Sequence, residues 1–432
     1  MNKKRNFIFR SAGLLALPFI SNLAGCTSAN VVSKPTLKKN LGSVVIIGGG
    51  FGGSTAAKYL HEWGNGSIKI TLIEKNNHFY SCPMSNMVLG GARDISFITH
   101  SYDGLKKRGI NVVRDEVMSV DPVSLTVSTK TGLEFSSDKL IVSPGISFDY
   151  DSIVGFSLKA RKRVLHGWKA GPQTLALKSQ IRSISDGGVL IISIPKSPYR
   201  CPPGPYERAC QIANFFKNYK PKSKVIILDA NSEVQSKKSF FISAWDELYK
   251  NQIEYVPNME ISELDLKSRM LITHFGDRIS GEVLNVIPPN TAGKIAHTAG
   301  LITTNNRWCD VDWLTLESKK FKNIHILGDA TLSTENMPKS AHIANQHGKV
   351  VAAAIVEYFS GGTPMPSRMI NTCYSFIDKF SAIHVARVYD YDKKLKTMVP
   401  NIKAGGLSSE PSKVEGKHAV SWAENIWSDS LI

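Results

Sequence analysis

The sequence predicts an α/β protein with two Rossmann-type nucleotide-binding domains and a smaller C-terminal domain. Three observations support this prediction: a strand, glycine turn, helix and strand near the start, a second strand–helix–strand pattern near residue 190, and a late strand ending in Gly328-Asp329. The 432 residues are 42% hydrophobic and 21% charged, which excludes disordered and collagen-like proteins. No stretch approaches the roughly 18–20 apolar residues of a membrane span, which excludes a polytopic membrane protein.

The first 26 residues are typical of an export signal, so we expect a periplasmic protein. A basic start (Lys3, Lys4, Arg5, Arg10) precedes an apolar stretch and then Leu23-Ala24-Gly25-Cys26. Lys4-Arg5 resembles a twin-arginine leader with Lys in the first position. The cleavage region also resembles a lipoprotein box, in which a lipid on Cys26 would tether the protein to a membrane. The alternative is an ordinary signal whose cleavage region contains a cysteine.

The mature chain is predicted to be basic. Without residues 1–26 the 53 Lys and Arg residues fall to 49 against 36 Asp and Glu, which leaves +13. The surplus is scattered in pairs such as Lys106-Lys107, so it indicates an acidic partner or an anionic membrane surface rather than nucleic acid. Solvated basic faces are the alternative.

The first strand–helix–strand pattern predicts a dinucleotide site. A β-branched strand over 43–47 leads into the glycines, a helix follows over 54–63, and a second strand over 68–73 ends at Glu74. The glycines of this G-x-G-x-x-G pattern are Gly48, Gly50 and Gly53. They permit a tight turn, a close approach of backbone N–H groups to a pyrophosphate and close helix–strand packing, while Glu74 can accept hydrogen bonds from ribose hydroxyls.

The dinucleotide is predicted to be FAD. A short strand from 323 ends in Gly328-Asp329, and a helix follows over about 340–359. In FAD enzymes of the glutathione-reductase type such an acid meets the ribityl hydroxyls, and the helix directs its positive end at the flavin. Ser143-Pro144-Gly145, after an apolar strand, matches the turn by which such chains leave the first FAD segment.

The second strand–helix–strand pattern, over 188–229, lacks the glycine fingerprint. Its turn, residues 194–205, contains five prolines, which lack the N–H groups that a phosphate cradle requires. We therefore predict no NADH site there and expect another electron donor. The same turn contains Cys201, close to a helix start that would favour a thiolate, and Glu207 six residues later could handle a proton. Cys373 lies at the start of the C-terminal part. From the residues alone, Cys201 and Cys373 could also be unrelated buried thiols. Cys210 and Cys309 are predicted to be small, buried hydrophobic residues.

Five segments between about residues 43 and 428 form a distinctive set. The most specific is Cys201-Pro-Pro-Gly-Pro-Tyr-Glu-Arg208; the others are His166–Gln173, Met337–Ala341, Asn371–Ser375 and Glu424–Trp427. Together they resemble the flavoprotein subunit of flavocytochrome c sulfide dehydrogenase. This resemblance implies a glutathione-reductase-like fold, bound FAD and a redox disulfide between Cys201 and Cys373.

The resemblance also implies roles for further residues. Cys82 matches the cysteine that bonds covalently to the flavin 8α carbon. Lys339 and Arg208 would favour an anionic substrate and a thiolate, and Trp427 could pack against the flavin ring. Each of the last three has a plain alternative: a surface charge for Lys339 and Arg208, a core side chain for Trp427. No metal ligands are predicted.

The implied reaction oxidises sulfide and passes electrons to a c-type cytochrome. The chain has no C-x-x-C-H haem-attachment motif, so the haem would belong to a partner subunit. Two alternatives stay open: a sulfide:quinone oxidoreductase, and a non-catalytic periplasmic flavoprotein auxiliary to sulfur oxidation.

The predicted domain boundaries follow from these segments. They are an export signal over 1–26, a linker over 27–41, the first part of the FAD domain over 42–165, an NAD-like domain without a fingerprint over 166–290, the second part of the FAD domain over 291–360, and a C-terminal interface domain over 361–432.

Overall fold

The computed structural model describes residues 40–432, and residues 39–432 form one compact unit. The predicted export signal and the lipidation site at Cys26 lie outside the described residues. Among the described residues no helix combines the length and apolar character that crossing a bilayer requires.

The first sheet is parallel and has five strands, as the first strand–helix–strand pattern predicts. In spatial order the strands are Ile324–Ile326, Lys139–Val142, Gly42–Ile47, Ile68–Glu74 and Asn111–Arg114. Val44–Ile47 is buried because helices cover such sheets on both faces. Two of those helices, Phe51–Trp63 and Ala341–Phe359, pack closely on each other because Gly348 has no side chain: a Cβ there would lie 2.6 Å from the Gly52 carbonyl oxygen.

The second sheet is also parallel and has four strands. In spatial order they are Ile253–Val256, Lys224–Asp229, Val189–Ile194 and Val283–Val286. Its helices are Pro172–Ser183, Gly204–Tyr219 and Lys238–Leu248. The order strand, helix, strand over 189–229 is the predicted one, although the helix begins two residues earlier than the sequence indicates.

The C-terminal part is an antiparallel three-stranded sheet followed by a helix. The strands are Arg368–Phe376, Ala382–Asp392 and Thr397–Leu407, and the helix is Lys413–Leu431. Cys373 lies within the first strand and pairs with Val385. The sheet therefore presents Cys373 from a rigid backbone instead of from a loop.

Short elements connect these layers. The remaining strands are Phe79–Tyr80, Thr99–His100, Val117–Asp121, Thr126–Thr129, Glu134–Ser136, Ile146–Phe148, Ile261–Asp265, Met270–Thr273, Arg278–Ser280 and Asn290–Ala292. The remaining helices are Ser85–Gly90, Asp103–Lys107, Leu158–Arg161 and Lys294–Thr298, with 3-10 turns at Ile95–Ile98 and Gly328–Ala330. The two parallel sheets confirm the predicted α/β class; the domain boundaries stay predictions.

Candidate active site

A cavity of about 630 Å³ lies at the carboxyl ends of the strands of the first sheet. Ile47, Glu74, Ser143 and Gly328, which end or follow four of these strands, line it. In parallel sheets this edge is where ligands bind. The cavity continues to the proline-rich turn of the second sheet and to the strand that contains Cys373.

The glycine turn leaves room for a ligand at one position and permits close packing at the other two. A Cβ on Gly48, whose φ is +94°, would lie 2.3 Å from the Ser143 carbonyl oxygen, and one on Gly53 would lie 1.9 Å from the Gly48 carbonyl oxygen. A Cβ on Gly50 would meet nothing within 4 Å, and no side chain caps the helix that starts after it. The uncapped N–H groups of this helix face the cavity and suit a pyrophosphate.

Glu74 connects the second strand to this turn. Its Oε2 accepts a hydrogen bond from the Gly49 N–H at 2.8 Å, and its Oε1 accepts one from the Asn76 N–H at 2.8 Å. Because Glu74 also lines the cavity, its carboxylate is placed where a ribose would lie.

Asp329 is a half-buried acid with one buried, unused oxygen. Its Oδ1 has no hydrogen-bond partner among the described residues, and burial raises the pKa of its carboxyl group. The preceding residue is fixed because the Gly328 N–H donates to His347 Nδ1 at 3.1 Å. An unsatisfied buried carboxylate oxygen costs free energy unless a ligand donor meets it. Asp329 therefore fits the hydroxyl groups of a bound FAD, as predicted.

The remaining FAD residues predicted around Asp329 also reach the cavity. Ser143 and Gly145 line it, and so does Ala341, the first residue of the helix that Ser340 caps through its hydroxyl. The open side of Gly50, the unused Asp329 oxygen and this helix start together fit an elongated, sugar-containing dinucleotide.

Cys201 and Cys373 meet at the wall of this cavity. Both are free thiols in the structure, both line the cavity, and each thiol influences the ionisation of the other. Cys201 has φ +56°, and its N–H donates to the Lys339 carbonyl oxygen at 2.8 Å. The Cys201 thiol and the positive charge of Lys237 hold the pKa of Cys373 below its ordinary value, while the pKa of Cys201 is raised, first by Cys373 and then by burial.

Glu207 lies beside the two sulfur atoms. Its Oε1 accepts from the Phe376 N–H at 2.8 Å, and its Oε2 accepts from Asn86 Nδ2 at 2.8 Å. Burial raises the pKa of its carboxyl group, and its charge acts on both cysteines. A buried carboxyl with a raised pKa is suited to exchange a proton near neutral pH.

Cys82 lines the same cavity, and so do the cations Arg200 and Lys169. The Arg200 guanidinium interacts with the Cys82 side chain through its charge, and its Nε has no hydrogen-bond partner among the described residues. Burial lowers the pKa of Lys169 to about 8.

Comparisons with known proteins show which flavoproteins this chain is similar to. The family description "Sulfide dehydrogenase [flavocytochrome c] flavoprotein chain, central" matches residues 174–288, "Flavocytochrome c sulphide dehydrogenase, flavin-binding" matches 365–431, and "Pyridine nucleotide-disulphide oxidoreductase" matches 42–178. The sulfide dehydrogenase flavoprotein chain of Chlorobaculum thiosulfatiphilum is 51% identical over 45 residues, 10% of this chain and 92% of that sequence. These matches support a flavoprotein similar to those of flavocytochrome c sulfide dehydrogenase and to sulfide:quinone oxidoreductases.

Relatives of the sulfide:quinone oxidoreductase type cover more of the chain. The mitochondrial sulfide:quinone oxidoreductase of Mus musculus is 27% identical over 336 residues, 72% of this chain and 70% of that one. The crystal structure of the Aquifex aeolicus sulfide:quinone oxidoreductase superposes with a TM-score of 0.74 at 17% identity and covers 90% of this chain and 91% of that one. This flavoprotein is thus an oxidoreductase of a sulfide-oxidising family, and it binds FAD.

The prediction for Trp427 is wrong for this flavoprotein. The Trp427 ring is buried against His100 and Phe97, at centroid distances of 4.5 and 5.4 Å, and does not line the cavity. Trp422 lines it instead. The two tryptophans lie on one helix, and five residues at about 100° each place them roughly 140° apart around its axis.

The structure places Lys339 outside the cavity lining and Arg208 at the cavity wall, and their predicted roles stay predictions. Lys339 Nζ donates to the carbonyl oxygens of Asp329 and Thr331 and lies 3.7 Å from the centroid of the Trp308 ring, outside the cavity lining. Its carbonyl group holds Cys201, and its charge acts on Asp329. Arg208 reaches the cavity wall, but its N–H groups donate to protein acceptors, namely Asn86, His166, Gly167 and Asn285. Its N–H groups thus hold the buried framework, while its charge also acts on Cys201 and Cys82.

The cations that do face the reactive groups were not found from the sequence. Arg200 directly precedes Cys201, so its position in the proline-rich turn was an available signal. Lys237 carries no comparable signal, because 136 residues separate it from the carbonyl group to which it donates.

Proposed function

We propose that this chain is the flavoprotein subunit of a sulfide dehydrogenase that oxidises sulfide to sulfur or polysulfide and passes electrons to a c-type cytochrome. The observation that supports the proposal is the meeting of Cys201 and Cys373, from the proline-rich turn and the C-terminal sheet, at the wall of the FAD cavity. Two sulfur atoms in contact beside a redox cofactor are suited to thiol–disulfide chemistry.

The first step uses the pair in its oxidised, disulfide form. Hydrosulfide attacks one sulfur, a new S–S bond forms to it, the Cys201–Cys373 bond breaks, and the electron pair leaves on the other sulfur as a thiolate. Glu207 is placed to take the proton that the sulfide releases. FAD, when bound, supplies the two-electron acceptor for this site.

We further propose that Cys82 holds the FAD covalently. Cys82 lines the cavity, and a covalent bond would retain the cofactor in a protein exported with its signal over residues 1–26. Protein that is denatured and acid-precipitated is expected to stay yellow. A Cys82→Ala variant should release its flavin into the supernatant, whereas release from the unaltered protein would contradict the covalent bond.

The cytochrome proposal rests on the sequence and on the family. The chain has no haem-attachment motif, and a relative that it matches is by name a chain of flavocytochrome c. An acidic face on a separate cytochrome would complement the net positive charge of the mature chain.

The experiment that tests the function measures sulfide-dependent reduction of a c-type cytochrome by the purified full chain. Cys201→Ser should keep the flavin absorbance and reduce the sulfide-dependent rate to background, because Ser cannot form the disulfide. Cys210→Ser is the matched control: Cys210 is buried away from the cavity, where its sulfur accepts from Trp245 Nε1 at 3.3 Å, and a hydroxyl can replace that acceptor. Full activity in Cys201→Ser would overturn the proposed role of the pair.

A second candidate function, sulfide:quinone oxidoreductase, is favoured by the similarity to the mouse enzyme over 336 residues. Both functions share the cysteine chemistry and differ in the electron acceptor. Reduction of a soluble quinone in place of cytochrome c would favour the second candidate. A protein that carries flavin but shows no sulfide dependence with either acceptor would instead be an auxiliary flavoprotein.

A further inference from the structure

The two cysteines of the pair have different cationic neighbours. Arg200 lines the cavity, and its charge acts on Cys82, Asp329 and Cys201. Lys237 does not line the cavity, and its charge acts first on Cys373. A substrate anion in the cavity therefore meets a cation on the Cys201 side, while the cation beside Cys373 lies behind the wall.

Lys237 is held firmly in this position. Its side chain is buried, and Nζ donates to the Cys373 carbonyl oxygen at 2.9 Å and to Ser375 Oγ at 2.8 Å. Its backbone is in the left-handed region, with φ +57°, directly before the helix Lys238–Leu248. A non-glycine residue in this conformation costs free energy, which the surrounding contacts must offset. The second parallel sheet thus places one ammonium against the strand that contains Cys373.

Burial disfavours the protonated form of Lys237, and the charged and titratable groups around it favour that form. Burial lowers the pKa of Lys237, and negative charge on Cys373, Glu207, Cys201 and Glu415 raises it. Of these groups, Cys373 has the largest effect. The ammonium and a thiolate on Cys373 stabilise each other reciprocally.

We propose that Lys237 is the positioning residue that sets the polarity of the cysteine pair, so that hydrosulfide attacks the Cys201 sulfur and Cys373 leaves as the thiolate. The inference rests on the proposed function and deepens it. In the balanced step, the sulfide sulfur forms a bond to Cys201 Sγ, the Cys201–Cys373 bond breaks, and its electron pair goes to Cys373 Sγ. The products are a persulfide on Cys201 and a thiolate on Cys373.

Two physical arguments support this direction. Thiol–disulfide exchange proceeds faster when the leaving sulfur forms the more stable thiolate, and the Lys237 ammonium stabilises negative charge on Cys373. Hydrosulfide is itself an anion, so the cavity-facing Arg200 brings it to the side of Cys201.

The experiment locates the persulfide. The full chain with FAD and an oxidised cysteine pair receives one equivalent of hydrosulfide without an electron acceptor, and after rapid alkylation peptide mass spectrometry compares the persulfide on the two cysteines. The unaltered protein is expected to carry at least about tenfold more persulfide on Cys201 than on Cys373. Lys237→Met should reduce this ratio about tenfold, and Lys237→Arg should restore it in part.

A matched control separates polarity from a general loss of structure. Lys238→Met removes the neighbouring lysine, whose exposed Nζ pairs with Glu233 at 2.8 Å, and should leave the ratio unchanged. The pH dependence of Cys373 alkylation in the reduced protein is a second readout: its midpoint should move to higher pH in Lys237→Met and stay in place in Lys238→Met.

The outcomes distinguish the failure of this inference from the failure of the proposed function. Persulfide mainly on Cys373 in the unaltered protein, or an unchanged ratio in Lys237→Met, overturns the polarity and leaves the sulfide chemistry intact. No persulfide on either cysteine, with the disulfide verified beforehand, overturns the proposed function and the inference with it. Because the unaltered protein alone can contradict the polarity, the test does not depend on whether Lys237→Met folds.

Discussion

Two segments of this flavoprotein share one topology and differ in their turns. Gly42–Glu74 and Val189–Asp229 each consist of a strand, a turn, a helix and a parallel strand that ends in an acid. The turn of the first segment is made of glycines and opens onto the FAD cavity, whereas the turn of the second contains five prolines and delivers Cys201 to the same cavity. One topology therefore serves as a cofactor cradle in the first case and as a support for a reactive sulfur in the second.

The terminal acids of the two segments show the same division. Glu74 lines the cavity, while Asp229 is fully buried and accepts bonds from Tyr206 Oη at 2.7 Å and Tyr255 Oη at 3.1 Å through one oxygen. Asn231 donates to its other oxygen. Where a nucleotide-binding domain would offer this acid to a ribose, protein hydroxyl groups already occupy it. These hydrogen bonds from protein groups let the second segment keep its fold without a bound nucleotide.

The largest expected effect comes from Gly53 in the first turn. Gly53→Ala should lower the free energy of unfolding by about 3–5 kcal/mol and abolish FAD incorporation, because its Cβ would lie 1.9 Å from a backbone oxygen. Thermal unfolding and the flavin content of the purified protein measure this.

Gly50→Ala is the control, since its Cβ would meet no protein atom within 4 Å. We expect the flavin-free Gly50→Ala protein to unfold at the wild-type temperature and to bind less FAD, because the methyl group would occupy the ligand side of the turn. Normal flavin content in Gly50→Ala would show that the cofactor does not approach this glycine.

The next largest effect on stability is expected from replacing the acids that end the two segments. Asp229→Ala should lower the free energy of unfolding by about 2–3 kcal/mol, because two buried tyrosine hydroxyls and an amide lose their acceptor. Its flavin content should stay normal once the protein is folded.

Glu74→Ala should show the reverse pattern: the free energy of unfolding of the flavin-free protein should fall by about 1 kcal/mol, and the flavin content should fall clearly. Loss of flavin in a folded Asp229→Ala protein would contradict the division between cradle and support.

Sequence patterns were sufficient for the parts of this molecule that local periodicity determines. The two strand–helix–strand segments, the glycine turn, and the late strand before Asp329 are where the residues predict them, because buried β-branched strands and glycine turns have strong local signatures. Cys201 and Cys373 were paired through the family resemblance, since nothing in their spacing brings residues 172 positions apart together.

The parts that sequence reasoning missed depend on tertiary contacts. Trp422 and Trp427 are the same residue type on the same helix, and only the packing of that helix decides which one faces the cavity. The sequence offers Lys339 as an anion ligand, but in the structure its ammonium donates to two carbonyl oxygens and lies over the Trp308 ring. Lys237 reaches Cys373 from another sheet, so no local pattern could indicate it.

The smallest expected effect tests the buried acid of the second segment through its pH dependence. Burial raises the pKa of Asp229 above its ordinary value of 3.8, and the bond from Tyr206 is the strongest opposing influence. The part of the stability that depends on protonation of Asp229 is therefore fully present below about pH 3.8 and is lost as the pH rises through its folded-state pKa. Tyr206→Phe removes a donor that favours the carboxylate, so it raises this pKa further.

The difference in unfolding free energy between wild type and Tyr206→Phe should consequently grow from acid to neutral pH, by about 1–2 kcal/mol. A smaller part of this free-energy difference is independent of pH, because the Gln235 N–H loses its acceptor, Tyr206 Oη, at 3.2 Å. Denaturant unfolding at several pH values measures both parts, with Tyr255→Phe as the matched control, whose longer bond to the same oxygen predicts a smaller pH-dependent part. A difference that is constant with pH, or largest in acid, would mean that the Asp229 carboxylate is not what Tyr206 stabilises, and that the second segment is held together without its acid.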